Sequence, residues 1–298
     1  MSTVADIGWE VSSETTVKWL FVVPAVGLLL GIVIYPFLKM IWDSLFSFNS
    51  AGQIGHLVGF ANYSYVLSDQ VFVHSTLFTI GFVIVTVSIE LVLGLGVSLL
   101  INSFSRIRQV LVVLSLPPMM FSPIVTGLTW RMLFNGSYGI VNYWTGINVD
   151  WIGHQPWAYL GVVVSDVWMW TPLFVLVFTA TLHSIPDVYY EAGKVDGMSR
   201  WQQFKWITFP QLRTAIAITL LLRLIRAFKL FPKVRVLTMG GPGSSTVSLA
   251  YRTYQYAFSF FHLGKGSAAG VIYWLIMLVV AMLVFRTIAS DLFTTMEG

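Results

Sequence analysis

Long apolar runs alternate with short polar stretches along this chain. A bilayer span takes about 20 mainly apolar residues, and six runs reach that length: Trp19–Ile41, Val71–Ile101, Gln109–Phe134, Trp157–His183, Thr214–Phe231 and Ser267–Ala289. The pattern predicts six transmembrane helices in an all-α fold, the second long enough to tilt or to run past the bilayer. Gly94, Gly96 and Ser98 predict a small-residue face on the second helix, suited to close packing. Pro117, Pro118 and Pro123 predict breaks in the third, which a membrane tolerates where protein or a cavity re-satisfies the backbone.

One polar island interrupts the apolar pattern, EAGKVDGMSRWQQFKWITFPQLR at Glu191–Arg213. Asp187 and Glu191 are placed to favour the positive end of a short helix. Gly193 and Gly197 permit a close approach or a turn with positive φ. Trp201, Phe204 and Ile207, at i, i+3 and i+6, predict one apolar stripe on a second short helix. Pro210 is expected to end that helix, with Phe209 extended before it. Residues alone leave two readings open, a compact knob of helix, turn, helix and break, or an amphipathic loop lying on the membrane.

Composition agrees with a membrane protein. Hydrophobic residues make up 56% of the 298 and charged residues 10%, against about 25% charged in soluble domains. Mean hydropathy is +0.78. With no Cys, the chain has no disulfide, thiolate ligand or cysteine nucleophile, and its net charge of +4 contains no basic run to suggest nucleic acid. Lys and Arg in short loops set orientation. The loops 43–70 and 135–156 carry none, whereas Arg106, Arg108, Lys194, Arg200, Lys205 and Arg213 flank the island side. Both termini are therefore expected to be cytoplasmic. Lys233, Arg235, Arg252 and Lys265 run against this count, which predicts that the stretch 232–266, helical and aromatic over 246–261, folds back against the helices. The first run is read as a retained span, not a cleaved signal. Residues 1–18 read as a cytoplasmic or interfacial segment with Trp9 and Trp19 at headgroup level, or as a frayed terminus, and 290–298 as a cytoplasmic tail.

No catalytic constellation stands out in the sequence. The stretch 240–246, Gly-Gly-Pro-Gly-Ser-Ser-Thr, lacks the Lys before Ser or Thr that a phosphate-cradling loop needs. The five histidines are scattered without an i, i+4 pair, so no metal site is expected. No carboxylate pair reads as acid and base, and no catalytic residue is assigned. Glu90 and Asp166 lie within spans, where an ionisable group is a functional hypothesis by default, so an ion-coupled secondary transporter is the alternative reading. A membrane scaffold is a third, and it would tolerate loss of Trp170 or Arg223.

The spacing Glu191-Ala192-Gly193-x-x-Asp196-Gly197, followed by Phe204, Ile207 and Pro210, resembles the EAA signature of permease subunits in binding-protein-dependent ABC importers of carbohydrates. Ser184-Ile185-Pro186 before it and Leu237-Thr238-Met239-Gly240-Gly241-Pro242 after it fall at that family's distances. Gly193, Met198, Phe209 and Thr214 depart from the usual residues, all by small changes. The resemblance implies a type I importer fold, with residues 19–289 as a six-helix domain in a prokaryotic inner membrane. It also implies a cytoplasmic coupling loop, 186–213, seated in a cleft of an ATPase subunit. The implied partners are a second homologous permease, two ATPase subunits, an external substrate-binding protein, membrane lipid and a sugar-type cargo. No cofactor is expected on this chain, because ATP and Mg would sit on the ATPase.

In the resembled importers the spans on either side of the signature touch cargo. Gap-free counting places those contacts at Met169, Trp170 and Leu173, and at Arg223, Arg226, Ala227 and Leu230. Trp170 offers a flat face for a sugar ring or for packing. The arginines offer forked donors suited to hydroxyls and better matched to carboxylate, phosphate or sulfonate. Lys229 is expected to point elsewhere and snorkel outward. Two readings stay open: an anionic sugar neutralises Arg223 and Arg226, or Glu90, Asp166 or a partner's acid pairs with them and the cargo is a neutral sugar or polyol.

Overall fold

The computed structural model describes residues 7–296 apart from 50, 51, 105 and 148. The first six and last two residues, which fall in the expected terminal segment and tail, lie outside the described residues, as does the Trp9 side chain. The chain divides into two compact units, residues 1–66 with 256–271, and residues 67–255 with 272–298.

In the first unit, helix α1 spans Ile7–Asp43. Its apolar window contains no buried residue. A two-stranded antiparallel hairpin follows, β1 at Phe46–Phe48 and β2 at Ile54–Leu57, pairing Phe46 with Leu57. The all-α expectation missed this hairpin, which is too short for the alternation of its side chains to stand out. Helix α2, Ala61–Ser68, begins here, and Asn62 ties it to the hairpin by donating to the carbonyls of Ser44 and Phe46, both at 2.9 Å.

The second unit is built on α3, Gln70–Ser103. The expected third span is three helices, α4 at Arg108–Ser115, α5 at Pro117–Met120 and α6 at Pro123–Leu133, with a 92° bend before α6. Ser122 caps α6 by accepting from the Val125 amide. A short helix, α7, covers Ile140–Thr145 and α8 covers Trp157–Ser184. The polar island forms α9, Asp187–Val195, and α10, Arg200–Gln203. A π turn at Phe204–Thr208 then leads into α11, Phe209–Phe228. Helices α12, Phe231–Leu237, and α13, Leu249–Tyr254, fold back on α6 and α3, as expected of this stretch. Helix α14 runs Leu263–Met296 and crosses the division between the units. Among the described residues, five helices are long and apolar enough to cross a membrane, and a sixth is reached when the bent α4–α6 segment is taken as one span.

Packing within the second unit follows the small residues. A Cβ on Gly94 would lie 2.2 Å from that of Phe174, so α3 and α8 meet with no room for a side chain there. Gly94 and Ser98 are buried, one turn apart, whereas Gly96 is exposed and does not belong to that face. Gly127 does the same for α6 and α12, where an added Cβ would meet Val236 and the Lys233 carbonyl. Around these contacts Phe82, Val87, Val162, Phe178, Leu182 and Leu212 form the apolar core.

Candidate functional site

The polar island is a knob with defined joints. Helix α9 ends in a paired-bond cap: the Gly197 amide donates to the Lys194 carbonyl at 3.1 Å and the Met198 amide to the Gly193 carbonyl at 2.8 Å. That geometry requires a left-handed residue just past the helix, and Gly197 supplies it at φ +73. Ser199 then opens α10 in a reciprocal capping box with Gln202. Gly193 is the point of closest approach, since a Cβ there would sit 3.1 Å from Ile207 Cδ1 and 3.3 Å from Met198 Sδ. Tyr190 and Thr208 hydroxyls, 3.0 Å apart, hold α9 to the π turn. Glu191, Ala192, Asp196, Gly197 and Pro210 are exposed on the outside of the knob, and Phe204 and Ile207 are half-buried beneath it.

Two expectations for this segment are corrected. Glu191 lies in the middle of α9 and only Asp187 occupies its first turn. Pro210 does not end a helix, and Phe209 is helical (φ −63, ψ −41) instead of extended. Proline clashes with the carbonyl four residues back in a regular α-helix. Here the backbone widens by one residue so that the Phe209 amide reaches the Phe204 carbonyl, and the helix continues through the proline.

Four charged side chains meet inside the second unit. Arg223 donates from Nε to Glu90 Oε2 at 2.6 Å and from Nη2 to Oε1 at 2.8 Å. The same Nη2 also donates to Asp166, and Lys233 Nζ donates to the other Asp166 oxygen. All four are buried, with Arg223 and Glu90 fully enclosed. The spans α3, α8 and α11 and the short α12 are thereby joined at one point. Lys233, which the charge pattern places among the external loop charges, is only 2% exposed. Its pairing with Asp166 removes it from the topology count.

A cavity of about 170 Å³ opens beside this cluster. Pro123, Asp166, Trp170, Arg226, Ala227, Lys229, Leu230 and Lys233 line it. It lies where α11 breaks into α12 and where the α4–α6 segment bends, so irregular backbone faces a hollow, the setting in which breaks in a span are tolerated. The Arg226 guanidinium sits 4.9 Å from the Trp170 ring centre, and that of Arg223 5.4 Å away. Of the seven expected cargo residues, the structure brings Trp170, Arg226, Ala227 and Leu230 to the cavity. Met169 is buried elsewhere, and Leu173 does not line it. Arg223 is closed off by its carboxylates. Lys229 caps α11 and lines the cavity instead of pointing away. Lys233 and Asp166 were missed as lining residues because only tertiary packing brings α12 against α8.

This is the architecture of a transport subunit: bent spans around a charged, tryptophan-lined hollow, with a polar knob at one end. Residues 90–289 match the family described as binding-protein-dependent transport system inner membrane component. The chain belongs to that family, whose members are transport components of importers, not enzymes. It is 35% identical over 272 residues to the trehalose/maltose transport system permease protein MalF of Thermococcus litoralis, covering 89% of this chain and 91% of that one. It is 32% identical over 293 residues to the sulfoquinovosyl glycerol transport system permease protein SmoG of Agrobacterium fabrum, covering 95% and 93%. A bacterial ABC transporter that imports the acidic polysaccharide alginate shares the fold, with TM-score 0.79 and 19% identity over 94% of this chain and 99% of that one. The type I importer permease fold expected from the signature is therefore the fold of this chain.

Proposed function

We propose that this chain is one of two permease subunits of an ATP-driven sugar importer and that its cargo passes the cavity at Trp170 and Arg226. The relatives named for trehalose/maltose and for sulfoquinovosyl glycerol support a carbohydrate cargo. A structure of the alginate transporter in complex with a substrate-bound periplasmic protein supports delivery by an external binding protein. The observation that carries the reading is the cavity itself. At about 170 Å³ it is below the roughly 300–1,000 Å³ of complete ligand pockets, as expected of a half-site completed by a facing subunit. The bare apolar flank of α1 gives such a subunit, or lipid, a surface to cover.

The knob formed by Glu191–Pro210 seats in a separate ATPase, with both termini on the same cytoplasmic side. Its exposed acidic residues and its glycine-hinged joint suit a rigid plug driven by closure of two ATPase subunits. ATP and Mg belong to those subunits, and this chain contributes no cofactor ligand. The test is uptake by the complete importer in proteoliposomes. Sugar uptake should require ATP, the binding protein and both permeases, and Trp170→Ala should lower it with assembly intact. Uptake sustained by an ion gradient without an ATPase would overturn the proposal in favour of a secondary transporter.

A further inference from the structure

The charges around the cavity do not balance. Two carboxylates, Glu90 and Asp166, meet four cations, Arg223, Arg226, Lys229 and Lys233. Glu90 is taken up by two donors of Arg223, and Asp166 is shared between Arg223 and Lys233. Among the described residues, Arg226 and Lys229 make no ion pair with any carboxylate. Both are exposed to the cavity they line. The carbonyl end of α11, which Lys229 caps, offers the equivalent of only about half a negative charge. Within this subunit more than one positive charge is left over. The first residue of α6, Pro123, also lines the cavity, so the positive end of that helix borders it too. A further donor, Nη1 of Arg223, is buried without a hydrogen-bond partner among the described residues.

We infer that the importer's cargo is an acidic sugar, whose carboxylate, sulfonate or phosphate group is held by Arg226 and Lys229. The inference rests on the reading of this cavity as the cargo site. A cation left without a carboxylate beside a cavity between spans is a functional hypothesis by default, and a neutral sugar's hydroxyls accept hydrogen bonds without neutralising it. An anion neutralises it. The Arg226 guanidinium lies over the Trp170 ring, 4.9 Å from its centre, and its N–H groups, in no ion pair among the described residues, suit a two-pronged contact with an oxyanion. Lys229, one helical turn on, supplies a point charge. Trp170 faces the same hollow and offers the flat apolar surface a sugar ring needs. The Asp166 carboxylate, already committed to Arg223 and Lys233, keeps the remainder of the wall neutral, so the positive charge is localised at Arg226 and Lys229.

The test uses the complete importer in proteoliposomes with its own binding protein and three probes sharing one ring: methyl glucoside, methyl glucuronide and methyl sulfoquinovoside. ATP-dependent uptake of one or both acidic probes, with the neutral glucoside not carried, is expected. Arg226→Gln with Lys229→Gln should raise the half-saturating concentration by roughly tenfold or more, the size of a lost charge-assisted hydrogen bond. Arg226→Lys should retain part of the uptake, and the binding protein's own affinity should not change. Uptake driven by the glucoside, or by none of the probes, overturns the inference, as does an unaltered half-saturation in the double variant. Trp170→Ala separates the two failures. If it lowers uptake while the charge variants are silent, the cargo site stands and the acidic class falls. If all are silent, the cargo site falls as well.

Discussion

Arg223 on α11 and Glu90 on α3 form a two-pronged pair, Nε to Oε2 at 2.6 Å and Nη2 to Oε1 at 2.8 Å, with neither side chain reached by solvent. The arginine is thus a strut between helices and not a free ligand for cargo. Breaking one partner of a buried pair strands the other charge, at a cost of about 3–5 kcal/mol. Arg223→Met is expected to lower the thermal unfolding temperature of the purified complex sharply. Adding Glu90→Gln should recover part of the loss, because the stranded carboxylate is then removed. A single variant as stable as the parent would show that the pair is not what joins α3 to α11.

Gly197 makes a different kind of demand. At φ +73 it caps α9, and nothing lies within 4 Å of the Cβ a larger residue would add. The penalty for Gly197→Val is therefore conformational alone, roughly 1–2 kcal/mol for an L residue in the left-handed region, while Gly197→Asn is milder. The spans should fold and the complex assemble, with ATP hydrolysis and uptake uncoupled. Gly193→Ala needs Ile207 and Met198 to shift by only a few tenths of an ångström, so near-normal transport is expected there. Normal coupling in Gly197→Val would count against the knob as the joint.

The helix seam can be tested with two glycines of one span. Gly94→Ala places a Cβ on the Phe174 Cβ, so α8 must move and stability should drop by about 1–3 kcal/mol, the range for overpacking. Gly96→Ala meets nothing within 4 Å and should be neutral or slightly stabilising, since Ala is the better helix former. Thermal unfolding of the two variants side by side decides it, and equal stabilities would refute the seam.

What the sequence made legible was local. Six apolar runs and their prolines placed the spans and the bent third segment, because span length and proline chemistry act on the residues that carry them. Gly197 was readable for the same reason. Whether Arg223 faced cargo or carboxylates was left open, because the answer depends on α3 and α8, which lie 133 and 57 residues away along the chain at the paired positions. Lys233 was misread by the same blindness, since a lysine in a short helix after a span looks like a loop charge until α12 is packed against α8. The hairpin at 46–57 is too brief to show a period.

Asp150 provides a pH signature outside the spans. Its carboxylate accepts from the Gly153 amide at 2.8 Å and the Ile152 amide at 3.1 Å, and these bonds, Gly153's foremost, hold its pKa below the usual carboxylate value. A depressed folded-state pKa means that the turn's stabilisation is present above the ordinary carboxylate range and is lost as pH falls through the lowered value. Hydrogen exchange at Ile152 and Gly153, corrected for intrinsic rates, should lose protection on acidification. Asp150→Ala should show the unprotected pattern at neutral pH.

Pro210 offers the sharpest test of the knob's geometry. In the structure the Phe209 amide reaches back five residues to Phe204, and the widened turn spares the Trp206 carbonyl a clash with the proline ring. Ala at 210 brings back an N–H for that carbonyl and favours an ordinary α-helix. Removing one residue of widening turns everything before it by about 100° relative to α11, one residue's share of a 3.6-residue turn. Trp201, 69% exposed at the tip, would then face a different direction. Pro210→Ala is expected to keep the span folded, since the added hydrogen bond is stabilising, yet to raise the ATP hydrolysed per sugar imported several-fold. The chain has no cysteine, so Trp201→Cys places a single thiol on this subunit and its cross-links to the ATPase can be mapped with and without the Pro210 change. A shifted cross-link pattern with poor coupling is the expected result. An unchanged pattern with normal ATP use per sugar would mean that the π turn does not set the knob's aim.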